Sequence, residues 1–174
     1  MRFFGFIGLT GIAVAIAAGV FFFGGFYSVA GTQPDPAIVA TALTQVREAS
    51  ISRHARETSP VSLEDPAVVQ QGARAFVDRN CAVCHGGPGL DWAKFSEGMH
   101  PSPPDLKEVV GGLEPREIFW VIKNGINMTG MPSFGPTGVP DQEIWTMVAF
   151  LKKLPTVSEQ DFKSWVEPPA APAP

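Results

Sequence analysis

The chain has 174 residues, enough for one domain and an additional segment, and its 17 prolines and 18 glycines indicate a loop-rich fold with short elements. Its formal net charge is −4, which argues against the basic surface that a nucleic-acid partner would require. One apolar segment at the N-terminus accounts for most of the raised mean hydropathy.

Residues 3–30 contain no charged side chain and are preceded by Arg2. About 20 apolar residues span a bilayer, whereas the apolar core of a signal peptide is usually about 7–15 residues long. The length therefore favours an N-terminal transmembrane helix within residues 1–30. A cleaved signal peptide is the alternative, because the tripeptide Ser-Val-Ala ending at Ala30 matches a cleavage site. The next basic residue is Arg47, so the positive-inside rule places the N-terminus in the cytoplasm and the rest of the chain outside.

Residues 31–62 are predicted to form a partly helical linker. Asp35-Pro36 has the pattern of an N-cap followed by proline at the first helical position, and the helix is expected to reach about Arg56. His54 lies in the basic end of this segment, where it is either a solvated side chain or a contact for a partner.

The predicted domain covers residues 63–165, and its first helix runs from Asp65-Pro66 to about Arg79. The apolar residues of this helix recur at steps of three and four. Gly72 lowers the stability of a helix by up to ~1 kcal/mol. We therefore expect another helix to cross closely at this glycine.

Two more helices are predicted in the second half of the domain. Glu114-Pro115 opens the first of them, and Gly125 ends it as a C-terminal cap. Asp141 is expected to cap the second, and Ser158 to open one final turn.

The remaining segments are predicted to be irregular. A loop of about 25 residues follows residue 89, and a second loop covers residues 126–140. The tail of residues 166–174 is rich in proline and alanine and is predicted to be disordered.

The sequence Cys81-Ala-Val-Cys84-His85 is the attachment pattern of haem c. Each thiol adds to one vinyl group of the haem, and the histidine coordinates the iron from one side. A redox-active disulfide would call for a βαβ setting, and the chain lacks the strands that this setting needs. A zinc site would need a second pair of ligands at suitable spacing, which is also missing. The pattern therefore predicts one covalently bound haem c.

The iron's sixth coordination site can stay open or be filled by a protein ligand. A methionine thioether suits an electron carrier because it favours the reduced iron and raises the potential. Met131 is the leading candidate, since Gly130 and Pro132 on either side of it shape a stiff loop. Met128 in the same loop is the runner-up. The remaining candidates are Met99, His100 and His54.

Residues 66–155 resemble a class I c-type cytochrome domain. The resemblance is carried by Gly72 and Phe76, Cys81 to Gly86, the sequence Pro103-Pro104-Asp105-Leu106, Gly125, Met131-Pro132, and Trp145 with Val148 to Leu151. It implies an all-α fold, the class I cytochrome c fold, in which short helices wrap one covalent haem. It also implies that the first and last helices cross near the glycine and the aromatic residues.

The resemblance also suggests residues around the haem. A proline carbonyl, that of Pro103 or Pro104, is expected to accept a hydrogen bond from the axial histidine and so fix its ring. The long loop before Pro103 leaves the choice between the two prolines open. Four apolar side chains are expected to pack in the haem pocket: Phe76, Ile122, Phe134 and Trp145.

With its N-terminal segment included, the chain resembles membrane-anchored bacterial monohaem cytochromes c. This implies a non-enzymatic carrier of single electrons, anchored to the cytoplasmic membrane through residues 3–30, with its haem domain in the periplasm or outside. Expected partners are another cytochrome, a copper protein, a dehydrogenase or an oxidase. The alternatives are a haem-bearing subunit of a larger membrane oxidoreductase and a haem-based ligand sensor.

Overall fold

The computed structural model describes the backbone of residues 2–167 and the side chains of residues 8–167. Within this range the regular secondary structure is helical throughout, and β-pairing is limited to a single bridge between Gly87 and Leu90. The chain divides into two units between residues 33 and 34. The tail predicted to be disordered falls, from residue 168 onward, outside the described residues.

The first unit contains helix α1, Arg2–Phe23, which is followed by a turn at Gly25 with φ of +76°. In the part of the chain that the structure describes, no helix combines the length and the apolar character needed to cross a membrane. The transmembrane helix predicted for this segment is therefore unsupported.

The second unit begins with helix α2, Ala37–His54. The N-cap predicted at Asp35 is wrong by one residue: Pro36 holds the N-cap position, because its ψ of 138° is still extended. The end of α2 contacts the rest of the unit through Ile51, which is buried. The second half of the predicted linker is therefore packed against the domain.

Helix α3, Pro66–Asp78, begins where the sequence predicts. The carboxylate of Asp65 accepts a hydrogen bond from the backbone N–H of Ala67 (2.8 Å), and proline occupies the first turn. The side of α3 that carries Gly72 is buried.

Helix α7, Asp141–Lys153, is the most buried element of the unit and crosses α3. A Cβ placed on Gly72 would lie 1.9 Å from the carbonyl oxygen of Thr146 in α7. The close crossing predicted at Gly72 is confirmed. The predicted cap at Asp141 is wrong, because Asp141 is already helical and Pro140 precedes it at the N-cap.

Helix α6, Pro115–Asn124, also packs against α7. The backbone N–H of Glu114 donates to the carboxylate of Glu117 (3.0 Å), which secures the start of the helix. Gly125 ends the helix at φ of +68°, as the sequence predicts. Phe119 of α6 stacks on Trp145 of α7, with ring centroids 4.3 Å apart.

Several short elements were not predicted. The loop after the haem motif contains a 3₁₀ helix and the four-residue helix α5, Leu106–Val109, which runs into a second 3₁₀ turn. A third 3₁₀ turn follows α7. The predicted final turn extends into helix α8, Glu159–Val166, because its Phe162 is buried in the core and stacks on Phe150.

Candidate functional site

The cysteine motif forms helix α4, Cys81–His85, a single helical turn. Asn80 precedes it with φ of +61°, a conformation that asparagine tolerates, and so turns the chain sharply from α3 into α4. Both cysteines are free and half-buried, and burial raises the pKa of the Cys81 thiol to about 12. One short helical turn thus carries two free thiols, three residues apart.

The imidazole of His85 is oriented by a backbone carbonyl. Its Nδ1 lies 3.0 Å from the carbonyl oxygen of Pro104. A carbonyl oxygen only accepts hydrogen bonds, so Nδ1 carries a proton, and in the neutral ring the lone pair is on Nε2. Of the two prolines considered from the sequence, Pro104 is the one that makes this contact.

Residues 93–104 run alongside α4 and are joined to it by hydrogen bonds. The backbone N–H of Ala93 donates to the carbonyl of Val83 (2.8 Å), and the buried hydroxyl of Ser96 donates to the same carbonyl (3.3 Å). The segment that brings Pro104 to His85 is therefore attached to the helix that carries His85.

One feature that holds the motif had no signal in the sequence. Arg79, at the end of α3, pairs with both carboxylate oxygens of Glu143 in α7 (2.7 and 3.1 Å). These hydrogen bonds raise the pKa of the Arg79 guanidinium. They join two helices just ahead of Cys81, between residues too far apart in sequence for local patterns to reveal.

Met131 lies on a closed loop at the end of α6. The hydroxyl of Thr129 donates to the carbonyl of Ile126 (2.7 Å) and accepts from the backbone N–H of Met131 (3.1 Å). The N–H of Ile126 donates to the carbonyl of Met131 (3.3 Å). The Met131 side chain is half-buried and packs against the core.

The other ligand candidates differ from Met131 in their environment. The Met128 side chain is 83% exposed, and its backbone has φ of +60°. His100 is exposed. His54 stacks on Trp120, with ring centroids 6.2 Å apart, and its Nδ1 lies 2.8 Å from the carbonyl oxygen of Ser50. It is thus part of the contact between α2 and α6.

The four apolar residues expected in the pocket all belong to the core or touch it. Phe76, Ile122 and Trp145 are buried, whereas Phe134 is partly buried against the same cluster. Phe76 contacts Phe150, and its ring centroid lies 5.4 Å from that of Phe150. The helices that carry the core are also those that flank the cysteine motif and the methionine loop.

This set of donors fits haem c. The two free thiols at i and i+3 would supply the nucleophiles for two vinyl groups, and the hydrogen bond to Pro104 would leave His85 Nε2 able to bind iron. The half-buried thioether of Met131, on a loop closed by hydrogen bonds at Thr129, would be a soft ligand for the iron. Among the described residues, no group of three or more His, Cys, Asp or Glu side chains is arranged to hold a metal ion.

One comparison with known proteins gives a match. Residues 67–151 match the family model described as cytochrome C oxidase, cbb3-type, subunit III. No curated protein and no solved structure matches the chain.

The family match identifies residues 67–151 as a class I c-type cytochrome domain, in agreement with the resemblance stated from the sequence. This class of domain carries haem c and transfers electrons. The all-helical structure of the described residues agrees with it.

Proposed function

We propose that the protein is a membrane-attached monohaem cytochrome c that carries single electrons between redox partners. The observation that carries this proposal is the oriented His85, whose Nδ1 is held by the Pro104 carbonyl directly after the two thiols of α4. Such an arrangement serves a histidine that binds iron through its other nitrogen.

In this proposal Cys81 and Cys84 form thioether bonds to the haem, and His85 is the fifth ligand of its iron. Met131 is the sixth ligand. Its half-buried side chain and its hydrogen-bonded loop favour it over Met128, whose side chain is 83% exposed. When bound, the haem supplies an iron that accepts and releases one electron without a change of ligands.

The protein's own contribution is to position the ligands and exclude water. We propose that Phe76, Ile122, Phe134 and Trp145 form apolar walls around the haem, which is consistent with their burial in or against the core. An apolar surrounding disfavours the more highly charged oxidised iron and so acts in the same direction as a thioether ligand.

The proposal includes attachment of the protein to the membrane. The attachment rests on the absence of charged residues from positions 3–30, and it implies a haem domain on the outer side of the cytoplasmic membrane.

A second candidate function is that of a haem-bearing subunit in a larger oxidoreductase. It is favoured by the family match, because that family is described as a subunit of an oxidase.

The test is to produce the full chain in a bacterium that attaches haem c and to extract the membranes with mild detergent. We expect one haem per chain that survives acid-acetone extraction, a membrane fraction resistant to alkaline carbonate, and reversible one-electron reduction. Haem lost from the wild-type protein on extraction would contradict covalent attachment. Co-purifying subunits in constant ratio would favour the oxidoreductase complex, and rapid binding of carbon monoxide to the reduced protein would favour a ligand sensor.

A further inference from the structure

We propose that Met99 is the positioning residue for the sixth ligand, because its side chain holds closed the loop that carries Met131. This inference rests on the proposed function, and in particular on Met131 as the ligand. Met99 itself does not bind the iron in this proposal.

The contact is made with Gly130, the residue directly before Met131. A Cβ placed on Gly130 would lie 2.9 Å from Sδ of Met99 and 3.3 Å from its Cε. The thioether of Met99 therefore occupies the space that a side chain at position 130 would need. Methionine is suited to this role because its flexible, polarizable side chain fills irregular gaps.

Met99 is itself held in place on both sides. Its backbone N–H donates to the carbonyl of Ser96 (3.2 Å), and its carbonyl accepts from the hydroxyl of Ser102 (3.2 Å). Ser96 is buried and donates through its hydroxyl to Val83 in α4. Hydrogen bonds through Ser96 thus connect Met99 to α4, the helix that carries the cysteines.

The same short segment, residues 93–104, therefore reaches both proposed iron ligands. At Pro104 it orients His85, and at Met99 it contacts the loop of Met131. The hydrogen bonds of that loop at Thr129 are local to the loop. Met99 adds a contact from residues 93–104, which are hydrogen-bonded to α4 and not to the loop. This contact limits outward movement of the loop.

The experiment measures how easily an external ligand displaces Met131 in the haem-loaded, oxidised protein. Imidazole binds the iron only when the loop opens, so its apparent affinity scales with the open fraction. We expect Met99→Ala to tighten imidazole binding about tenfold, and Met99→Leu, which restores the bulk without the sulfur, to stay within about twofold of wild type. The Met–iron charge-transfer band should persist in Met99→Leu.

Met128→Ala is the matched control, since Met128 lies in the same loop with an exposed side chain. It should leave imidazole affinity unchanged. Gly130→Ala should tighten imidazole binding in the wild-type background, because its Cβ displaces Met99. It should have no added effect in Met99→Ala, and this non-additivity reports the direct contact.

Unchanged imidazole affinity in Met99→Ala, with the Met–iron band present in the wild type, would overturn the positioning role and leave the proposed function intact. Loss of the band in both Met99→Leu and Met99→Ala would make Met99 the ligand and would also overturn it. An equal effect of Met128→Ala would show a general loosening of the loop and count against the proposal. A wild-type protein with bound haem and no Met–iron band would instead refute the Met131 assignment in the proposed function.

Discussion

Gly72 in α3 lies so close to Thr146 in α7 that the two helices touch backbone to backbone. A Cβ on Gly72 would meet the Thr146 carbonyl oxygen at 1.9 Å and the Phe150 Cβ at 2.9 Å. Neither neighbour is the flexible end of a side chain, so the contact can be relieved only by separating the helices. The crossing fixes the position of α3, and α4 with the cysteine motif follows α3 directly in the chain.

We expect Gly72→Ala to destabilise the haem-loaded protein by about 3 kcal/mol or more, at the upper end of the range for overpacked cores. The gain in helix propensity, about 1 kcal/mol, does not offset this cost. The measurement is denaturant unfolding followed by haem absorbance. Gly111→Ala is the control, since nothing lies within 4 Å of a Cβ at that position, and a similar loss there would refute the explanation.

The sequence predicts those features that depend on local chemistry. The start of α3 at Asp65 and the end of α6 at Gly125 follow from caps whose partners are a few residues away. The crossing at Gly72 follows from a helix-breaking residue in an otherwise regular helix, for which close packing is the usual reason. The order of the site along the chain, cysteines first and Met131 later, required no structural information.

Features that depend on long-range packing were not predictable in this way. The choice of Pro104 over Pro103 depends on where a carbonyl points, which the path of a long loop decides. Helix α8 has an ordinary polar sequence, and the burial of Phe162 supplies much of its stability. The contact of Met99 with Gly130 joins two loops and leaves no periodic pattern in the sequence.

Lys152 is predicted to stabilise the fold from the end of α7. Its ammonium group donates to the carbonyl of Val110 (3.2 Å), the first residue of the 3₁₀ turn Val110–Gly112, and to that of Leu113 (3.0 Å), which directly follows the turn. Lys152→Met should cost about 1–3 kcal/mol of unfolding free energy, because two part-buried carbonyls lose a charged donor. Thermal unfolding of the haem-loaded protein gives the measurement.

Lys153→Met provides the matched comparison for that experiment. Lys153 forms an ion pair with Glu64 on the surface, and such exposed pairs contribute about 0–1 kcal/mol. The prediction for Lys152 fails when both substitutions have the same effect.

The stability of the chain before haem is attached is predicted to depend on pH through Cys81. The variant Cys84→Ala is used for the measurement, so that one thiol remains. Burial raises the pKa of Cys81 from its ordinary value of 9.0 to about 12. Between these two pH values the thiol stays protonated in the folded state and is ionised in the unfolded state. This contribution to stability is fully present below about pH 9 and is lost as the pH rises toward 12. At pH 9 iodoacetamide should therefore modify Cys81 much more slowly in buffer than in urea. Equal rates in the two solvents would refute the burial effect.

Gly125 is predicted to control the loop that carries Met131. Its φ of +68° and ψ of −172° are accessible almost only to glycine, and a Cβ would lie 2.8 Å from the Met131 carbonyl oxygen. Gly125→Ala should cost about 1–3 kcal/mol and weaken the Met–iron band of the oxidised protein. Gly138→Ala is the control, because Gly138 also has positive φ, +86°, but has nothing within 4 Å of its Cβ. It should lose stability and keep the band, so loss of the band in both variants would contradict the steric argument.

The two methionines of the loop give the sharpest test of the ligand assignment. Met131→Ala should remove the Met–iron charge-transfer band and lower the reduction potential, because the thioether favours the reduced iron. It should also let carbon monoxide bind rapidly to the reduced protein. Met128→Ala should leave the spectrum and the potential unchanged, since the Met128 side chain is 83% exposed and Met131 is packed against the core. The opposite result, with the band kept in Met131→Ala and lost in Met128→Ala, would identify Met128 as the iron ligand. The loop would then have to change conformation when haem is attached.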